Sequence, residues 1–386
     1  MGCEITQLEL GDRRLRDFVD VAWQIHRGDP CWTPPLRGEL LGSRLFGMKG
    51  LLTREHPYHK DADVTHFLAT RDGRMVGRVS AAVNRRFNDH YGTEIGFFGF
   101  FDVASDYEAA EALLSRACSW LGERGMKIAR GPGGYSNATH EANQGVLIEG
   151  FAYPPTVELT HNPPYYGEFL ERFGMRKAKD YHAYLIQISD GPSERLRSIA
   201  DAVLERRRIE TRPIDLSKAD AEVDLIVRIW NEAWAANWGY LPMEDAEGAA
   251  IASSLKLVAD PGLMRFAYVD GELAAVLGAL PDPNVALRPR WNRLRDTDIV
   301  RALRLLRTKR RIPNTRLMFF GVLPRFRKLG IDAVLYREVL EYALKRGYKT
   351  CEPSLLLEDN DLILRASSFM GGVHYKTWRI YEKDLR

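Results

Sequence analysis

A chain of 386 residues is long enough for two domains with full hydrophobic cores, which excludes a small disulfide-stapled scaffold. Hydrophobic residues at 45% and charged residues at 28% match ordinary globular usage, excluding general disorder and fibrous repeats. The 55 Lys and Arg against 52 Asp and Glu leave a formal charge of +3, so no global field selects nucleic acid, and no nucleic-acid partner is expected. Cys3, Cys31, Cys118 and Cys351 lie far apart, with no Cys-x-x-Cys pair and no histidine spacing of a zinc site. The expectation is a chain without a metal, in a reducing cytoplasm. No signal-peptide pattern opens the sequence, and no run of about 18 apolar residues would cross a bilayer. Met1-Gly2-Cys3-Glu4-Ile5-Thr6 fits the short N-myristoylation pattern.

In chain order, the first clear element is a hairpin, His66 to Arg71 with Arg74 to Val83, turning at Asp72-Gly73. A strand around Phe98-Gly99-Phe100 and a helix from Leu113 to Lys127 follow. The same series returns later: a helix from Ala219 to Trp238, a hairpin joining Phe266 to Val269 with Leu273 to Leu280 at Asp270-Gly271, and a strand from Arg316 to Leu323. Then come a helix from Ile331 to Arg346, a strand from Lys349 to Leu356, a helix from Leu362 to Met370, and a final strand from Val373 to Tyr381. Phe98-Gly99-Phe100 aligns with Phe320-Gly321-Val322, and Leu113–Lys127 with Leu335–Lys349, both 222 residues apart. The Asp-Gly turns are only 198 apart, so the second copy carries 24 extra residues between hairpin and strand, around 281–314. The turn formers of Ser189 to Ser193 mark the join, giving domains 1–190 and 191–386.

Between the strand ending near Leu323 and the helix starting near Ile331 lies Pro324-Arg325-Phe326-Arg327-Lys328-Leu329-Gly330. Such a junction aims backbone N–H groups and the positive helix end at one small region, an anion cradle. Arg325, Arg327 and Lys328 add cations, and Gly330 lets the backbone approach a phosphate closely. The alternative is an ordinary solvated basic turn. In the first copy the 222-residue offset puts Ser105 in place of Arg327 and Glu108 in place of Gly330, and Asp102 and Asp106 flank them. That loop should repel a phosphate.

Arg327-Lys328-Leu329-Gly330-Ile331-Asp332 resembles the pyrophosphate loop of the GNAT acyltransferase superfamily, Arg/Gln-x-x-Gly-x-Gly/Ala, departing at Asp332 where the family has a small residue. The resemblance implies an α/β (α+β) protein of two tandem GNAT-like domains, each a mixed, mostly antiparallel sheet flanked by helices. The first would be a degenerate copy without a coenzyme A loop, supplying a wall or a substrate pocket. The second would be the acyl-CoA-binding catalytic domain. No cofactor is bound permanently on this reading; acyl-CoA is a co-substrate whose acyl group passes to an amine by direct attack. Gly321, Val322 and Leu323 would supply a backbone N–H for the thioester oxygen. Arg325, Arg327, Lys328, Leu329, Gly330 and Ile331 would hold the pyrophosphate, and Asn360 would touch the coenzyme.

The chemistry needs an unprotonated amine, an oxyanion donor and a proton for the departing thiolate. Glu358 is the candidate base, or else solvates a helix start. Tyr375 and Tyr381 are candidate proton donors, or else packing residues; the family's usual tyrosine in the preceding helix is absent, with Phe369 near its place. The first domain has an extra polar stretch from Tyr135 to Gln144 and on to Tyr166, in which His140, Glu141 and His161 are acid–base candidates or hydrogen-bonded scaffolding. Trp230, Trp234 and Trp238 would share a helix face as core, while Asn237, Trp238 and Tyr240 border the acceptor site of the superfamily.

The extra segment carries ten Lys and Arg from Arg288 to Arg311. Ile299, Ala302, Leu303 and Leu306 take one helical side, and Arg301, Arg304 and Thr308 another. A peripheral membrane contact through 288–311, a lid, and a solvated charged helix are the three readings. Asn162-Pro163-Pro164-Tyr165-Tyr166, Asn231-Glu232-Ala233-Trp234, Leu357-Glu358-Asp359-Asn360 and His374-Tyr375-Lys376 are similar to the bacterial ceramide synthases, which acylate a sphingoid base such as 3-oxosphinganine. The resemblance implies acyl-CoA and a lipid amine acceptor as partners, and a cytoplasmic protein, peripheral on the inner face of the membrane. An acetyltransferase for a small soluble amine and a non-catalytic acyl-CoA-binding regulator are the alternatives.

Overall fold

The computed structural model describes residues 2–45, 47–133, 145–244, 247–248, 258–292 and 294–385. The chain forms two compact units: 1–181 with 287–305 and 376–386, and 182–286 with 306–375. These are not the contiguous halves 1–190 and 191–386 that the join suggests. The chain passes into the second unit within the strand Arg176–Gln187 and returns within Val373–Asp384. The return has a direct cause, because Tyr381 to Asp384 pair antiparallel with Gly131 to Ile128.

In the first unit the strands Glu4–Leu8, Ala62–Arg71, Arg74–Asn84, Ile95–Val103 and Ile128–Gly133 lie side by side in that order. All pairs are antiparallel except the last, which is parallel. The second unit repeats the series with Ile209–Pro213, Met264–Val269, Glu272–Pro281, Asn314–Val322 and Thr350–Pro353, again parallel only at the last pair. Each Asp-Gly turn has two positive φ angles, 50° and 71° at Asp72 and Gly73, 50° and 82° at Asp270 and Gly271. This is the geometry whose twist suits a two-residue hairpin.

The helices Leu15–Ile25, Tyr107–Gly122 and Tyr165–Arg172 of the first unit correspond to Ala219–Ala233, Ile331–Arg346 and Asp361–Phe369 of the second. Ile331–Arg346 ends where Gly347 turns to φ 83° and its N–H bonds Ala343 and Leu344 carbonyls, the left-handed stop glycine accepts without strain. Its buried face, with Leu335, Val339 and Leu340, covers the sheet through Ala275, Leu277 and Leu317. In the first unit Leu113, Leu114, Ala117 and Leu121 do the same against Val79, Ala81 and Phe98. The helix Glu194–Arg206 and the outer strands Glu4–Leu8 and Ile209–Pro213 are additions to the sequence-based order. The helix from Ala219 stops at Ala233, so Trp238 lies beyond it and the three tryptophans do not share one helical face.

The basic segment is turned around relative to a solvated cationic face. Arg301 is 0% exposed, donating to the carbonyls of Leu287 (2.8 Å), Pro35 (3.1 Å) and Pro34 (2.6 Å). Burial lowers its guanidinium pKa to about 10. Asp298 accepts from the N–H groups of Arg37 and Gly38, at 3.0 and 2.8 Å. The apolar residues of the helix Asp298–Thr308 face outward instead: Ile299 is 52% exposed, Leu303 47% and Leu306 55%.

Candidate acyl-transfer site

In the second unit the strand Asn314–Val322 pairs in parallel with Thr350–Pro353 only as far as Leu317 opposite Pro353. Beyond that rung, among the described residues, it keeps only its antiparallel neighbour Glu272–Pro281, with a bulge at Met318. The two parallel strands therefore part, leaving one backbone edge open. Leu323 N–H bonds Ala274 O at 2.9 Å, so its hydrogen-bonding groups face the antiparallel neighbour. By alternation Gly321 does likewise, and Val322 points its N–H and C=O to the open side. Of the three residues expected to polarise a thioester, Val322 is the one whose N–H is presented there. Trp234 Nε1 donates to Phe320 O at 2.9 Å on that same edge.

The loop after the strand has the geometry of a cradle. Lys328 stands at φ 63° and Gly330 at φ 80°. The N–H groups of Lys328, Leu329, Gly330, Ile331 and Asp332 bond no acceptor among the described residues. Five consecutive donors at a helix start form a ready anion site, strengthened by the helix dipole. Gly330 is required twice over, by its positive φ and because a Cβ there would lie 2.6 Å from Val203 Cγ2. Asp332 is exposed in the first turn and makes no cap bond, while Ile331 anchors the turn at 1% exposure.

The loop's cations are arranged differently from one another. Arg327 Nη2 donates to Ala233 O at 2.8 Å, tying the loop to the end of the preceding helix. Arg325 pairs with Glu272 at 2.9 Å in an exposed contact. Lys328 is exposed, and Leu329 is half-buried. Asn360 accepts from Ile363 N–H and caps the helix Asp361–Phe369. Glu358 is half-buried beside it.

Tyr375 is joined to a carboxylate that sequence reasoning did not single out: its hydroxyl donates to Glu352 Oε2. Glu352, 1% exposed, also accepts from Ser354 Oγ at 2.8 Å, and Arg316 Nε donates to Ser354 Oγ at 3.0 Å. Burial, then the Glu352 carboxylate, push the Tyr375 hydroxyl far above the ordinary tyrosine range. The available signal was a glutamate inside a short strand that the order of elements makes central. Tyr381, the other candidate donor, is buried in the first unit and bonds Glu171 at 2.9 Å.

A narrow apolar crevice lies beside this strand, lined by Ile226, Ile229, Trp230, Trp234, Phe319 and Gly321. A Cβ on Gly321 would come within 2.7 Å of Ile229 Cγ2, so glycine sets the closeness of helix and strand. Asn237 and Trp238 are half-buried in the turns after the helix. Tyr240, 7% exposed, places its hydroxyl 3.2 Å from both Asn231 O and Oδ1, which fixes that turn.

In the first unit the equivalent loop is closed by its own side chain. Asp106 caps Ala109 N–H at 3.2 Å and pairs with Arg71 at 2.9 Å. His161, 5% exposed at its side chain, lies 3.2 Å from Asp29, and burial lowers its pKa to about 4. Cys31 joins them, the three ligating atoms all lying within 4.8 Å of one another. Sequence spacing missed this trio because its members are far apart in the chain. The charges of Lys376 and Arg288 beside Cys31 oppose a cation there. His140 and Glu141 lie outside the described residues.

The repeated sheet order, with its parallel strands parting at one edge, is that of a tandem GNAT fold, and solved structures share it. A tandem GNAT protein from the clavulanic acid biosynthesis pathway matches at TM-score 0.57 and 13% identity, covering 100% of this chain and 99% of its own. A GCN5-related N-acetyltransferase from Sphaerobacter thermophilus matches at TM-score 0.52 and 12% identity, over 99% and 96%. No family model matches. The bacterial ceramide synthase of Caulobacter vibrioides is 32% identical over 377 residues, 96% of this chain and 95% of that protein. Protein YghO of Escherichia coli is 27% identical over 384 residues, 97% and 94% of the two chains. The chain belongs to the family of the bacterial ceramide synthase.

Proposed function

We propose that this acyltransferase takes a long-chain acyl group from acyl-CoA and transfers it to the amine of a sphingoid base, making an N-acyl lipid by direct attack on the thioester. The observation that carries the coenzyme assignment is the run of five N–H donors from Lys328 to Asp332, two of its residues at positive φ. The pyrophosphate would sit there, with Lys328 as the nearby exposed cation. Val322 N–H would meet the thioester oxygen, stabilising the charge that develops as the amine attacks. The second unit would be the catalytic one, the first a copy that has lost its anion loop.

The lipid acceptor is supported by the name of the Caulobacter relative and by the outward face of Asp298–Thr308. Ile299, Leu303 and Leu306 stand exposed, with Leu294 at 80%, beside exposed Arg295, Arg307, Lys309, Arg310 and Arg311. Apolar residues between cations suit the surface of an anionic bilayer, where each cation near the surface adds about 1 kcal/mol. No helix of the described residues is long and apolar enough to cross a membrane. Sedimentation with phosphatidylglycerol vesicles should retain the protein and release the Leu303→Glu/Leu306→Glu variant. Equal binding of both would end the surface assignment.

The deciding assay is thiol release from palmitoyl-CoA and from acetyl-CoA, with and without 3-oxosphinganine, with the product identified by mass. Amine-dependent release from the long-chain donor alone, with an N-acyl product, is expected. Turnover of acetyl-CoA with a soluble amine would move the protein to the small-molecule acetyltransferases. Tight coenzyme binding without turnover would make it a regulator.

A further inference from the structure

The buried group around Glu352 lies where the two parallel strands separate. Glu352 pairs in register with Arg316, the rung before the last one at Leu317 and Pro353. Its carboxylate accepts from Tyr375 and Ser354, and it is enclosed at 1% exposure. Three charges face the Tyr375 hydroxyl: Glu352 on Thr350–Pro353, Asp282 just after Glu272–Pro281, and Arg316 on Asn314–Val322. Asp282 and Arg316 are themselves buried, at 3% and 5% exposure. A carboxylate in such a place is costly for folding alone, because a buried ion loses its hydration. Tyr375 is less buried than the glutamate it bonds.

We propose that Glu352 takes the proton of the acceptor ammonium through the Tyr375 hydroxyl, so that Tyr375 is the catalytic residue and Glu352 the positioning residue and proton store behind it. This rests on the acyltransferase reading above. The ammonium gives a proton to Tyr375 Oη as Tyr375 passes its own to Glu352 Oε2. The nitrogen lone pair then forms the C–N bond and the C–S bond breaks. A second nitrogen proton moves through Tyr375 to the thiolate, leaving the neutral amide and a free thiol, and Glu352 later returns its proton to solvent. Arg316, held to Ser354 by its guanidinium, keeps Ser354 Oγ aimed at Glu352 and so fixes which carboxylate oxygen faces the tyrosine.

The test measures amine-dependent thiol release from palmitoyl-CoA with 3-oxosphinganine from pH 6 to 9, using the full chain and its Glu352→Gln, Glu352→Asp and Tyr375→Phe variants. Removing an acid–base group typically costs 10²- to 10⁴-fold, so Glu352→Gln and Tyr375→Phe should each lose about 100-fold or more in kcat near pH 7. The natural chain should show a plateau in kcat/KM. Glu352→Gln should instead gain about tenfold per pH unit, because only the fraction of amine already neutral in solution can react. Glu352→Asp, which keeps a carboxylate and the fold, should recover part of the rate and the plateau. An unchanged pH profile in Glu352→Gln with the rate within threefold overturns the relay while leaving the acyltransferase reading intact. A lower melting temperature in Glu352→Gln, with the rate lost but the plateau kept, makes Glu352 structural and also overturns it. Absence of turnover by the natural chain removes the reading and the relay together.

Discussion

Replacing Gly330 with alanine tests the proposed coenzyme loop at its narrowest point. The residue sits at φ 80°, a left-handed conformation that costs an L-residue about 1–2 kcal/mol. The added Cβ would approach Val203 Cγ2 to 2.6 Å, so either the helix Glu194–Arg206 or the loop must give way. The loop is the softer side, since its N–H groups from Lys328 to Asp332 bond no acceptor among the described residues. A charge-assisted hydrogen bond contributes about 1.5 kcal/mol at the low end, so misaiming two of these donors weakens coenzyme binding by about 3 kcal/mol, roughly 100-fold. Calorimetric titration with coenzyme A should show that loss, with the melting temperature lowered only slightly. Adding Val203→Ala removes the clash but leaves the φ strain, so the double variant should recover part of the affinity. Gly330→Glu, which also puts a carboxylate beside the pyrophosphate, should abolish binding. Coenzyme binding within threefold of the natural chain in both Gly330→Ala and Gly330→Glu would refute the loop assignment.

Two further outcomes concern stability. Arg301→Leu strips three carbonyls, those of Leu287, Pro34 and the half-buried Pro35, of their donor, each worth about 1 kcal/mol or more, so it should destabilise by about 3 kcal/mol and lower the melting temperature by roughly 6–12 °C; an unchanged melting curve would contradict the anchoring role. His161, with its pKa lowered to about 4, stays neutral in the native chain while the unfolded chain takes up a proton near pH 6.5. Its contribution is therefore present above pH 6.5 and lost as pH falls toward 4, up to about 3 kcal/mol. His161→Gln should flatten the fall of stability between pH 6.5 and 4 in denaturant titrations, and an equally steep fall would show the titration lies elsewhere.

The duplication, the hairpins and the turn that starts the helix Ile331–Arg346 were legible because each rests on local chemistry. An Asp-Gly pair between apolar strand-forming runs needs two positive φ angles, and Gly330 before a helix needs another. The outer strands Glu4–Leu8 and Ile209–Pro213 escaped because they are short and half-exposed, carrying little periodicity. The basic segment shows where pattern alone stops. Its two faces were readable, but which face meets the protein depends on the carbonyls of Pro34 and Pro35, about 266 positions away in sequence. A guanidinium that finds three carbonyl acceptors can be buried, and the aliphatic side is then left outside. The Glu352 pair was hidden for the same reason: a glutamate reads as surface until a tyrosine from a distant strand is known to meet it.

The two copies of the strand–loop–helix junction form an internal control on what an anion site requires. Charge is the obvious difference, with Ser105 where the second copy has Arg327. Restoring a cation by Ser105→Arg should nevertheless fail to create a second coenzyme site. In the first copy Ala104 N–H bonds Val76 O, Asp106 N–H bonds Ala104 O, and Ala109 N–H is capped by the Asp106 carboxylate. Asp106 and Glu108 both lean on Arg71, at 2.9 and 3.0 Å, so an incoming phosphate would meet two carboxylates whose cation is already engaged. One new guanidinium offsets one of these charges and frees none of the donors. Titration of Ser105→Arg should give one coenzyme A per chain with the affinity of the natural protein. A stoichiometry of two would mean that cations alone make the site, and that the open N–H groups of Lys328 to Asp332 are not what distinguishes the second copy.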